Sequence, residues 1–293
     1  MIAHVANAEE QRGRVVLWLG GGGEIQEAAV DAALRLAQAF ESEVESLFIE
    51  DRQLFDIASL PFAREVSLSG RQTRTMSADA LARDLKAHAS AMQRQVLARA
   101  RAAEVKALAR VVRAEPAQAL AEVCAEKGPW NVVAVGTTVR NGTGTGHLGA
   151  GLAEVFEAVH ATTGVVVAGP KAQRTAGPVI AIVEELDRAV PMMRAAQRIA
   201  TATGGDARLW LLEQSQTRQE WLEGQIRLAL GATSRLKLEV LDMATHTPHS
   251  VAALLRRAGA GFVITRFGGL LTPSEEHVAP FAEGLDGPLF LVR

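Results

Sequence analysis

At roughly 150 residues per domain, a chain of 293 residues suggests two domains, and 48% hydrophobic with 22% charged residues is the make-up of an ordinary globular protein. Lys and Arg total 31 against 33 Asp and Glu, a formal charge of -2, so the basic excess used by phosphate-backbone binders is missing and a nucleic-acid partner is excluded at the level of composition. Cys124 stands alone, which rules out an internal disulfide or a multi-cysteine zinc site, and no apolar run has the length of a signal-peptide core or a membrane span; the sequence reads as cytoplasmic, with no membrane partner.

In chain order, short apolar and β-branched runs alternate with stretches of helical period, the pattern of βαβ units around a parallel sheet. Strands are predicted at residues 15–19, 44–49, 105–112, 132–135 and 165–168, and again at 179–183, 207–212, 236–241, 262–264 and 289–292. The helix predicted over 25–40 brings Ala29, Ala33, Leu36 and Phe40 to one face, and a long helix further on does the same with Leu81, Leu85, Met92 and Val96. Residues 188–203 supply the counterpart of the first helix in the second half.

Strand starts at 15 and 44 recur at 179 and 207 with almost the same offset, so the chain is an internal repeat. The offset is smaller for the fourth strands, which places an insertion in the first half around residues 52–78. A further drop after the fourth strand leaves the second half shorter there. Domains are therefore expected at 1–170 and 171–293, with the boundary in the Gly/Pro/Lys/Gln/Arg segment 169–177.

Glycines gather after the first strand (Gly20, Gly21, Gly22, Gly23) and after the fourth, in 136–151, GTTVRNGTGTGHLGAG. In an open parallel sheet, loops at the carboxyl ends of central strands line the ligand crevice, and small residues there let backbone N–H groups converge on an anion. The P-loop pattern is absent and the dinucleotide fingerprint fails, since Gly20 and Gly22 are followed by Ile25. What remains is a spacing: Gly136, Val139 three positions on, and Gly149-Ala150 ten after that. It resembles the Gly-x2-Gly-x9-Gly-[Ser/Thr] nucleotide loop of the universal stress protein family. The apolar strand ending in Val135-Gly136, the helix start at Gly149-Ala150-Gly151, and the opening strand 15–19 with Ala28, Ala33, Leu34 and Ala37 behind it agree with that resemblance. It extends over nearly the whole chain as two copies.

The resemblance implies an α/β fold of two tandem five-stranded parallel-sheet sandwiches, strand order 3-2-1-4-5, of the adenine nucleotide alpha hydrolase-like type. It further implies a stress-associated binding or regulatory protein, not an enzyme, with ATP or another adenine nucleotide as ligand in the first domain only. The residues carried over are Gly20, Gly21, Val135, Gly136, Thr137, Thr138, Gly149, Ala150 and Gly151. The departures are specific: Gly20 replaces the Asp that ends the family's first strand, Val139 the middle glycine and Ala150 the closing hydroxyl. Thr137, Thr138, Asn141, Thr143, Thr145 and His147 are the replacement donors at hand. In the second half Glu184 ends the first strand and the loop is missing, so no nucleotide is expected there. Two other readings stay open: an interaction or scaffold protein with vestigial loops, and a nucleotide-using enzyme of the same α/β class. Sheet edges allow pairing within the chain as a pseudo-dimer or between chains as a homodimer.

Outside the loops, the insertion reads as a segment that packs one apolar face on its own domain or on a partner and leaves the rest solvated, the sharper alternative being a lid that sets Arg64, Arg71 or Arg74 on a phosphate. His246 and His249 read as the start of a helix, Cys124 as a buried structural thiol, and Glu184 and Glu185 as solvent-facing.

Overall fold

The computed structural model of the protein describes residues 13–19, 26–67, 69–128, 130–136, 156, 162–213, 216–230 and 237–293. Each β-branched run becomes a strand. In the first half these are β1 (Arg14–Leu19), β2 (Val44–Asp51), β5 (Ala107–Ala114), β6 (Asn131–Gly136) and β7 (Thr162–Ala168). The second half supplies β8 (Val179–Val183), β9 (Ala207–Glu213), β10 (Lys237–Asp242), β11 (Phe262–Arg266) and β12 (Leu289–Val292). Helices fill the crossovers: α1 (Glu27–Ala39), α2 (Arg52–Ala58), α3 (Ala78–Ala102), α4 (Pro116–Ala125), α5 (Leu186–Thr203), α6 (Gln216–Leu230), α7 (Pro248–Arg257) and α8 (Glu275–Glu283).

One ten-stranded sheet results, in the order β10-β9-β8-β11-β12-β7-β6-β1-β2-β5. Read from each outer edge toward the centre, each set of five has the order 3-2-1-4-5, and its strands are mutually parallel. The two sets join at β7 and β12, which pair antiparallel from Leu289↔Val167 to Val292↔Gly164. The two predicted sandwiches thus share one continuous sheet. The antiparallel seam also reverses direction, so the carboxyl ends of the two strand sets lie at opposite ends of the sheet.

Strands buried on both faces are apolar at nearly every position, and alternate side chains divide between two cores. Val15, Leu17, Val132 and Ala134 face α1, α3, α5 and α6; Val16, Val133 and Val135 face α4, α7 and α8. The long helix α3 buries Leu85, Met92 and Val96, as its period predicts, together with Ala89 and Ala100. Strand β5 begins two residues later than predicted. Glu104 takes a left-handed φ of 55°, and the N–H of Val105 still returns to the carbonyl of Ala100 at 2.9 Å, so Val105 belongs to the closing turn of α3.

Segment 52–78 forms α2 and a small antiparallel hairpin, β3 (Arg64–Val66) with β4 (Thr73–Thr75). Arg74 is held by Glu65 and lies 3.8 Å from Asp84. Cys124 is buried on α4. Beneath that helix Arg14, 1% exposed, pairs with Glu45 of β2 and donates to the carbonyl of Val123, while Arg110 bridges Glu45 and Glu126, each at 2.6 Å. A buried arginine can open β1 only because these acceptors meet it. No helix among the described residues is long and apolar enough to cross a membrane.

Candidate functional site

Strands β1 and β6 are adjacent and parallel in the middle of the first set, paired from Arg14↔Asn131 to Leu17↔Ala134, and their carboxyl ends, Leu19 and Gly136, finish side by side. The chain order turns back here: β1 continues outward to β2 and β5, β6 to β7. Ligands of open α/β sheets settle at this switch point. Helix α1 starts behind it, at Gln26 with φ -76° and ψ 104°, directing the N-terminal end of its dipole toward the crevice, with Glu27 in its first turn.

Of the residues predicted for the site, Val135 and Gly136 are described. Val135 is buried in the face toward α4. Gly136 ends β6 against the side-chain amide of Gln26, in the space that a Cβ at this position would take. Gly20, Gly21, Thr137, Thr138, Gly149, Ala150 and Gly151 lie outside the described residues, as do the replacement donors Asn141, Thr143, Thr145 and His147. Gln26 was not foreseen. A polar residue just ahead of a helix was its only signal.

In the second set the equivalent crevice lies between β8 and β11. Glu184 follows β8, and its carboxylate accepts the backbone N–H of Leu270 at 2.9 Å; a Cβ on Gly269 would lie 2.6 Å from it. Burial pushes the Glu184 carboxyl above its ordinary range, opposed by the Leu270 hydrogen bond and by Arg266. Glu185 turns the other way, to Arg266 at 2.7 Å, and the carbonyl of Arg266 accepts from Thr272 at 2.9 Å. The expectation that both glutamates face solvent is therefore corrected: Glu184 is half-buried and fills the crevice with the protein's own carboxylate.

Thr247 caps α7 in a box with Ser250, and His246 Nδ1 sits 2.9 Å from the Asp242 carbonyl, so the two histidines mark a helix start. Among the described residues no three metal-ligating side chains converge.

No family model matches the chain. No curated protein matches it either. Solved structures do. A universal stress protein from Archaeoglobus fulgidus DSM 4304 superposes with a TM-score of 0.59 at 14% identity, over 97% of this chain and 99% of that one. A putative universal stress protein from Pseudomonas aeruginosa UCBPP-PA14 gives 0.56 at 13% identity, over 98% and 94%. The cytoplasmic domain of a prokaryotic cation chloride cotransporter gives 0.51 at 7% identity, over 96% and 95%. At such identities the likeness speaks for the fold alone. Along almost its whole length, the chain has the α/β fold found in universal stress proteins.

Proposed function

We propose that the protein is a stress-associated binding and regulatory protein of the universal stress type, not an enzyme, which takes ATP or another adenine nucleotide in the β1/β6 crevice of its first half. The second half, residues 171–293, serves as a structural partner. The observation that carries the reading is the switch point itself: two parallel central strands ending together, one in glycine, with glycine-rich sequence following both. The Glu184 carboxylate supports restricting the ligand to one half, since it would repel a phosphate from the second crevice. Gln26 favours a second reading. Its amide gives Gly136 a packing role that needs no ligand, which agrees with an interaction protein whose loops are vestigial.

Mass spectrometry of the denatured, freshly purified protein and thermal shifts in ATP, AMP and a cyclic dinucleotide separate the two. The first reading expects a co-purified nucleotide or a shift, and expects Gly149→Trp to remove that shift while the fold survives. Neither nucleotide nor shift at millimolar ligand overturns it in favour of the second.

A further inference from the structure

A cavity of about 850 Å³ opens beside the seam of the sheet, at the start of β6 and the end of β12, away from the Gly136 crevice at the other end of β6. Its floor is apolar. Phe290 of β12 lines it together with Phe40 and Trp130, whose rings tilt against each other with centroids 5.5 Å apart. Its wall is one side of α5, carrying Arg188, Arg194 and Arg198, and Arg293 follows β12 at the rim. Among the described residues no Asp or Glu side chain lines it.

The arginines are poorly answered by the protein. Arg194 and Arg198, one turn apart and both exposed, form no ion pair with any described residue; Arg198 instead lies 5.9 Å over the Phe40 ring. Like charges at this spacing repel each other on a helix. Arg188 is answered in part, by an ion pair with Asp187 at 3.5 Å and by the main-chain oxygen of Arg293, to which it donates. In a chain of net charge -2, Arg194 and Arg198 beside one concavity are a local field that an anion would relieve.

We infer that this cavity is a ligand site for a small amphipathic anion: an alkyl chain ended by a carboxylate or phosphate. The chain lies on Phe40, Trp130 and Phe290, with the flexible Met192 adapting to it, and the head group is gripped by Arg194 and Arg198. Guanidinium forks match both head groups in geometry, and the volume falls within the roughly 300–1,000 Å³ of small-molecule pockets. The inference is independent of the nucleotide reading.

The test titrates the full chain with decanoate, decyl phosphate and decanol below their micellar concentrations, and with anionic phospholipid vesicles, following heat and tryptophan fluorescence. Both anions are expected to bind saturably at one per chain, and decanol at least about tenfold more weakly. The double variant Arg194→Gln/Arg198→Gln should lose at least about tenfold in affinity for both anions, leave decanol binding unchanged, and melt no lower than the parent. Absence of saturable anion binding, decanol binding as tightly, or anion affinity unchanged in the variant each overturns the proposal. Binding to vesicles without binding of the soluble anions overturns it too, and points to a membrane surface as the partner. Any ATP-dependent shift is read on the same variant and should persist; its loss would move the nucleotide into this cavity and overturn the assignment.

Discussion

The carboxylate of Glu184 accepts the N–H of Leu270 at 2.9 Å over the bare backbone of Gly269, so the second crevice holds an anion that is covalently part of the chain. Burial raises its pKa in the folded state. A raised acid binds its proton more tightly when folded than when unfolded, so its contribution to stability is present below the unfolded pKa and is lost as pH rises through the folded one. Glu184→Gln, which keeps the acceptor and removes the charge, should melt higher than the parent at pH 7 by about 2 °C, and the gap should close below about pH 4. A variant that melts lower at pH 7 would show that the ionised carboxylate is a net gain.

Glu126 behaves oppositely. The hydrogen bond from Arg110, with help from Arg14, pulls its pKa down to about 2 against the cost of burial. Its contribution is therefore present above the unfolded value and lost as pH falls through the folded one. Its side chain is 46% exposed, so solvent screens most of this: Glu126→Gln should cost under about 1 kcal/mol at pH 7, and the cost should shrink steadily as pH falls toward about 2. Thermal melts across that range check it.

Arg14 and Glu45, each with 2% of its side chain exposed, form a unit. Removing one partner leaves a charge in the core, so Arg14→Met should lower stability by about 3 kcal/mol in urea unfolding. Glu45 keeps Arg110, which holds the loss to the lower part of the usual range. The double variant Arg14→Met/Glu45→Leu should regain most of it. Simple additivity of the two single losses would mean that the residues do not act together.

Two glycines make a matched pair. A methyl on Gly164 would run into the carbonyl of Leu291 and the ring of Phe290 across the seam, whereas one on Gly224 of α6 meets nothing. Gly164→Ala should cost about 2 kcal/mol by forcing strands apart. Gly224→Ala should gain up to about 1 kcal/mol through helix propensity. The urea midpoints should move in opposite directions.

The fold was largely legible because buried parallel strands announce themselves: Val179–Val183 and Leu289–Val292 are runs with no polar interruption, and both strands begin and end where predicted. Val105 was misassigned for the same reason, since an apolar β-branched residue also serves to close a helix. The site was harder to read. Gly136 follows from its position at the end of an apolar strand, but Gln26 reaches it from the start of α1, and no local pattern encodes that meeting. Glu184 was visible as an acid at a strand end. Its orientation depended on an amide 86 residues away, which sequence spacing does not supply. The arginine cavity was invisible for a related reason, because its wall, floor and rim come from both halves.

The antiparallel ladder between β7 and β12 lies within one polypeptide. Two separate chains joined through such an edge would come apart on dilution, and their fraction paired would follow cellular abundance. Here tethering makes the pairing intramolecular, so its population does not depend on how much protein is present. Under the proposed function, a response by this protein would track the concentration of its ligand without also tracking its own.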